Sequence, residues 1–181
     1  MTKRVFMLML LAMIMVGSVN AQSINGRWKA SEELKKKMDM TGNDPKMDIV
    51  LDITSTSIAV EFPMSMKDNE TSAKMRYRVP GTYTRTGNKV VAKFNTKKAD
   101  FEVIDFDTND TEMKAMMKTA EGKKAMLTLL NETLKEQIKD DLKDINEVTK
   151  LFKMFTIQKV TDSALTIKMQ DEAEGTFTRT K

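Results

Sequence analysis

Short segments in which apolar and polar residues alternate with a period of two constrain this chain more than any other feature of its sequence. In Met47-Asp48-Ile49-Val50-Leu51-Asp52-Ile53, residues 47, 49, 51 and 53 share an apolar face, while Asp48 and Asp52 fall on the other. Successive side chains of an extended backbone point to opposite faces, so such a segment reads as a half-buried strand. A turn at 54–57 follows. Ile58, Val60 and Phe62 then alternate with Ala59 and Glu61 as far as Pro63, which is expected to limit the pairing because it has no N–H. Met75, Tyr77 and Val79 alternate with Lys74, Arg76 and Arg78, and Pro80-Gly81 is expected to end that strand. Gly87-Asn88 is a hairpin signal ahead of Val90, Ala92 and Phe94. Residues 100–106 are apolar on both faces and read as another strand. Leu165, Ile167 and Met169, then Gly175, Phe177 and Arg179, supply two more. Eight to ten short strands at spacings of roughly 8–12 residues predict an antiparallel sandwich or barrel.

Two stretches depart from this period. Ser31 to Met40 reads as a short helix, with Ser31 as N-cap, glutamates in the first turn and lysines toward the far end, where the helix dipole favours them. Residues 109–148 form the larger exception. Asn109 and Glu112 resemble a capping box, and Gly122 suggests a break. Leu127, Leu130, Leu134, Ile138, Leu142 and Ile145 then recur at steps of three and four. An amphipathic helix or helical pair flanked by strands is an insertion in a β-domain.

The N-terminus is read separately. Lys3 and Arg4 precede a run without charge or proline from Val5 to Val16, and Val19-Asn20-Ala21 places small residues ahead of Gln22. This is the layout of a cleavable signal peptide over residues 1–21, with the run too short for the roughly 20 residues of a spanning helix. The domain is therefore expected to occupy 22–181. Without Lys3 and Arg4 the 30 basic residues become 28 against 26 acidic ones, a net charge of +2 with both signs interspersed. That is no nucleic-acid-binding composition. The chain has no cysteine, so neither disulfides nor a lipidated cysteine are available, and the expectation is an exported, periplasmic or secreted protein that is not a lipoprotein. No transmembrane segment is expected after cleavage.

The chain after the signal opens Ile24-Asn25-Gly26-Arg27-Trp28-Lys29 and closes Gly175-Thr176-Phe177-Thr178-Arg179-Thr180. A Gly-x-Trp on the first strand with an arginine on the last resembles the lipocalin and wider calycin pattern. Gly81-Thr82-Tyr83 is similar to hairpins of the lipocalin-like domains in small exported proteins of Gram-negative bacteria. The resemblance implies a mainly β, antiparallel barrel of about 8–10 strands with Gly26, Trp28 and Arg179 as a structural plug, the indole closing one end and the guanidinium lying across it. A cation–π contact of this kind stabilises by about 0.5–2 kcal/mol. The long helical segment departs from the family pattern, in which the helix follows the last barrel strands.

Histidine is absent as well as cysteine, which removes imidazole acid–base chemistry, thiol nucleophiles and the common zinc and copper ligands. Asp48 and Asp52 read as carboxylates of a solvated strand face. Asp105, Asp107 and Asp110 lack the spacing of a calcium loop and read as a helix entry. No enzyme activity, cofactor or metal is expected. The reading is an exported binding protein holding a small apolar or amphipathic ligand in a barrel pocket, with Phe62, Met75, Tyr77, Tyr83 and Phe94 as candidate contacts. The alternative is a filled barrel that binds a protein partner as a non-catalytic module of the cell envelope. Barrels of about eight strands lie near the size that separates the two.

Overall fold

The computed structural model describes residues 22–38, 46–137, 141–170 and 173–180. The expected signal peptide, and the side chains of Ile138 and Leu142, lie outside them. The described residues form ten strands: β1 (Gly26–Ala30), β2 (Lys46–Met47), β3 (Val50–Ile53), β4 (Ser57–Lys67), β5 (Thr71–Thr86), β6 (Lys89–Phe94), β7 (Asp100–Thr108), β8 (Met154–Val160), β9 (Ala164–Met169) and β10 (Glu174–Thr180). The helices are α1 (Glu32–Lys37), α2 (Thr111–Met116), α3 (Ala120–Gln137) and α4 (Asp141–Leu151).

Eight strands close a ring in chain order, β1–β3–β4–β5–β6–β8–β9–β10 and back to β1, with every pairing antiparallel. The expected barrel with an inserted helical segment is thus the observed fold. The remaining two strands lie outside the ring, β2 on the far part of β4 and β7 on the first half of β5. Register explains why the apolar positions coincide. Trp28 faces Leu51, Leu51 faces Val60, and Val60 faces Val79, so one row of apolar side chains crosses four strands. All four are fully buried, and each such burial stabilises by about 1.5–3 kcal/mol. Phe62, Phe155, Leu165, Ile167 and Phe177 join them in a single core.

Two prolines expected to stop strands do not. β4 runs through Pro63, and β5 runs through Pro80-Gly81. In an antiparallel strand a residue's N–H and C=O point to the same neighbour, and these carbonyls show which one. Pro63 O accepts Asp48 N at 2.9 Å, between the last β3 pair at Glu61 and the first β2 pair at Met64. Pro80 O accepts Asn95 N at 2.8 Å, between the β7 pair at Arg78 and the β6 pair at Gly81. Each proline therefore occupies the point where a long strand exchanges one neighbour for another, and a ladder donor is not needed there. Gly81 is required at its step, since a Cβ would lie 2.6 Å from Lys93 O.

The barrel has two unlike ends. One is built from tight turns at 54–56, 87–88 and 161–163 together with the ends of β1 and β10. At the other, β4 and β5 run on past the ring, β2 and β7 attach to them, and the helices gather. Ser31 caps α1 as expected, accepting Leu34 N at 3.2 Å. The second cap is shifted by one residue, because Asp110 rather than Asn109 accepts Met113 N, at 2.8 Å. Asn109 instead donates to Asn69 O across to the β4–β5 turn. The helical break falls at 117–119, ahead of Gly122, where a Cβ would lie 1.9 Å from Met116 O. α3 packs along β7 and covers its free edge, Asn131 Oδ1 accepting Val103 N. Ile145 of α4 and Phe152 just after it enter the barrel core, with the Phe152 and Phe177 rings edge-to-face at 6.2 Å. The insertion therefore completes the core at this end.

Candidate functional site

At the tight end, Trp28 is wholly buried, its Nε1–H donates to Ile24 O at 2.7 Å, and the Arg179 guanidinium carbon sits 4.3 Å from the ring centroid. Gly26 has φ 140°, and a Cβ there would lie 2.7 Å from an Arg179 nitrogen. The three residues grouped from sequence thus make one cluster, with the glycine leaving room for the arginine over the indole.

The five candidate ligand contacts are dispersed. Phe62 and Tyr77 pair across β4 and β5 as buried core residues, with ring centroids 6.4 Å apart. Tyr77 Oη donates to Asn146 Oδ1 of α4 at 3.1 Å. Burial pushes its phenol above the ordinary value, and the Asn146 bond only partly opposes that. Tyr83 lies toward the tight end, donating to Thr54 O at 2.8 Å. Phe94 lines two shallow grooves, one beside Pro80 and Gly81 and one beside Asn146 and Thr149. Only Met75 reaches the largest cleft. Five clefts of about 390–650 Å³ open to solvent, and Trp28, Phe62, Phe155 and Phe177 line none of the five. The inward residues expected to wall a ligand pocket instead pack on one another.

The largest cleft, about 650 Å³, lies at the helix end between α1, β2, β4, β5 and β7. Its volume falls within the range of small-molecule sites. Pro63 and Ile104 give it an apolar surface, Lys29, Lys35, Lys46 and Lys74 a basic one, and Glu32 and Asp48 an acidic one, while Met64 and Met75 border it but are buried in the barrel core. Ile104 is exposed and lies at a β-bulge, where Met75 pairs Val103 and Lys74 pairs Asp105. A second opening of about 500 Å³ shares Lys46, Ser65 and Lys74 and adds Met66, Lys67 and Ser72. Met64, Met66 and Met75 border these openings but pack in or against the barrel core, whereas Met117 lines a separate groove and Met116 is exposed.

Along one wall of the cleft, Asp48 takes Lys29 Nζ and Lys35 Nζ, each at 2.7 Å, and Lys35 also meets Glu32 at 2.7 Å. The Lys35 side chain is only 9% exposed. Burial opposes its charge, but the bonds from Asp48 and Glu32 prevail and hold the ammonium above its ordinary value. Asp48 is the mirror case: burial raises its carboxyl, the two lysines outweigh that, and the net position is below the ordinary carboxylate range. The expectation of solvated carboxylates at 48 and 52 is corrected, since Asp52 is also paired, with Arg78 at 3.4 Å. Sequence reading missed this network because it depends on cross-strand register. The alternation does show that the lysines and Ser65 lie on outward positions.

Asp105, Asp107 and Asp110 serve separate partners. Lys123 bonds Asp105 at 2.9 Å and, with burial opposing, holds its carboxyl low, while Asp107 accepts Thr108 N and Asp110 caps α2. Among the described residues no group of three or more carboxylates could hold a metal ion, and no helix is long and apolar enough to cross a membrane. No protein-family model matches the chain, and no curated protein matches it in sequence.

Proposed function

We propose that the chain is an exported, non-catalytic binding protein on a lipocalin-like barrel, taking a small amphipathic molecule in the helix-end cleft. The cleft carries the reading: a concave site of about 650 Å³ whose wall joins Pro63 and the exposed Ile104 to four ammonium groups. Export rests on Lys3 and Arg4 followed by the apolar run 5–16, and the mature protein is expected to start at Gln22, which N-terminal sequencing of the exported form checks. The decisive experiment is native mass spectrometry of the protein released gently from its own cells. A small molecule bound at one per chain supports the reading. A bare chain that takes up no apolar fluorescent probe contradicts it.

A second reading is favoured by the filled interior: a barrel that binds a protein partner of the cell envelope. Met116 of α2 and Leu129 of α3 are 58% and 59% exposed and offer apolar contacts to such a partner. Changing Leu129 to Lys would abolish partner capture under this reading and leave small-molecule uptake intact under the first.

A further inference from the structure

The outer surface of the barrel carries its charge in two different ways. On β1, β3, β4 and the first half of β5 the cations are matched to acids: Arg27 and Arg78 bond Glu61, Arg78 also meets Asp52, Arg76 bonds Glu102, and Lys29 bonds Asp48. On the far side the matching stops. Val90 and Ala92 of β6 are buried, so Lys89, Val91 and Lys93 point outward. Register sets threonines beside them: Thr86 and Thr156 flank Lys89, Thr84 flanks Val91, and Thr82 flanks Lys93. Lys97 and Lys98 follow on the short 3-10 turn and share one shallow groove with Lys93. Lys153 stands just before β8, its carbonyl accepting Ala92 N at 2.7 Å, and Lys159 lies opposite Thr166. All six lysines are exposed, and none makes an ion pair among the described residues. The nearest acids lie on the rim: Glu174 opposite Lys168, Glu147 bonded to Lys150, and Asp162 in the β8–β9 turn. Between Lys89 and Lys93, which are about 13 Å apart along the strand, Val91 is 39% exposed and faces Met154.

We infer that this outer face of β6 and β8, with the turn after β6, docks on a membrane surface rich in anionic lipid. The six lysines share no residue with the helix-end cleft, and docking needs no ligand there. Unmatched positive charge spread over one face calls for an extended anionic partner. The kind of cation identifies it. Protein interfaces are enriched in arginine and aromatic residues and depleted of lysine, whereas the outward positions of β6, β8 and β9 hold lysine and threonine but no arginine or aromatic ring. A lysine is a point charge on a flexible stem, suited to phosphates that have no fixed arrangement. Each lysine brought to an anionic leaflet strengthens attachment severalfold, within a Debye length of the surface. The Val91–Met154 pair adds an apolar contact among the cations, which a headgroup layer over acyl chains accommodates and a soluble polyanion does not use.

The test is co-sedimentation of the mature protein with phosphatidylcholine vesicles and with the same vesicles containing phosphatidylglycerol. Polyglutamate and a short DNA duplex, each immobilised on beads, form two further arms. The expected result is binding at least tenfold tighter to the anionic vesicles than to the neutral ones, weakened by added salt. The variant Lys89→Gln/Lys93→Gln/Lys97→Gln/Lys98→Gln should lose that preference while its thermal unfolding matches the parent's. A control of equal net charge, Lys114→Gln/Lys118→Gln/Lys124→Gln/Lys135→Gln on α2 and α3, changes four exposed lysines away from the face and should keep the preference within twofold. If the first variant does not fold, Lys97→Gln/Lys98→Gln alone, outside the barrel strands, should still weaken anionic-vesicle binding severalfold. Equal binding to the two kinds of vesicle overturns the inference. So does an equal loss in the control, which would make net charge the cause, or a preference that survives in the face variants. Capture by polyglutamate or the duplex at least as tight as by the anionic vesicles also overturns it and gives the face to a soluble polyanion.

Discussion

The two ends of the barrel solve the same problem, that of closing a ring of strands, by opposite means. At the tight end short turns and one large side chain suffice. Trp28 fills the interior, Arg179 lies over it, and Gly26 makes the space. At the helix end the strands do not stop together. β4 and β5 run on, acquire β2 and β7 as new neighbours, and leave a mouth that Ile145 and Phe152 fill from outside the sheet. The first solution leaves no room for a ligand. The second creates clefts wherever the added elements fail to cover the overrunning strands, and the candidate site is one of these.

The comparison can be broken at several points. The largest effect is expected from Trp28→Ala, at about 3–5 kcal/mol of unfolding free energy by urea titration, because it empties a fully buried site. A loss below about 1 kcal/mol would mean that the tight end does not depend on this residue. Phe152→Ala is the corresponding test of the helix end and should cost about 3 kcal/mol. Here hydrogen exchange is expected to accelerate first in α4 and at the start of β8. Uniform acceleration would show that the two ends are not separable. Gly26→Ala should cost about 1–3 kcal/mol through its positive φ and displace Arg179, seen as a change in the near-ultraviolet dichroism of the only tryptophan.

Asp48→Asn should have the smallest effect, about 1 kcal/mol, since Asp48 itself and Lys29 are partly solvated. Its pH signature is specific. Asp48 titrates below its ordinary 3.8 in the fold, so its stabilisation is present above that pH and is lost as the pH falls through the lower folded value. Lys35 titrates above its ordinary 10.5, so its stabilisation is present below that pH and is lost as the pH rises through the higher folded value. The parent and the Asn variant should therefore differ in melting temperature between those limits and converge outside them. A difference unchanged at pH 2 would remove the network from the account.

The strands were legible because burial on one face writes a period of two into the sequence, and β3, β4 and the first part of β5 show it plainly. The tight end was legible for a related reason: Gly26, Trp28 and Arg179 lie near the chain ends that the barrel brings together. The helix end was less so. Pro63 and Pro80 read as strand ends because a missing donor usually ends a ladder. In this fold each falls where the ladder changes partner, which depends on neighbours distant in sequence. The same dependence hid the cleft. The lysines 46 and 74 are 28 residues apart in sequence and become a pair only through the shared register with Ser65. Aromatic residues drew attention to the interior, where Phe62 and Tyr77 turned out to pack against each other.

The most direct test of the central claim, that binding belongs to the helix-end cleft and not to the barrel interior, is a nitrogen–proton NMR titration with anilinonaphthalene sulfonate, an amphipathic probe. The indole N–H of Trp28 reports on the interior, as the only such resonance in the protein. The account predicts that the amides of Lys46, Ser65, Lys74 and Ile104 shift together and saturate at one ligand per chain, while the indole signal stays in place. Movement of the indole signal with those amides unchanged would contradict it and return the ligand to the barrel interior.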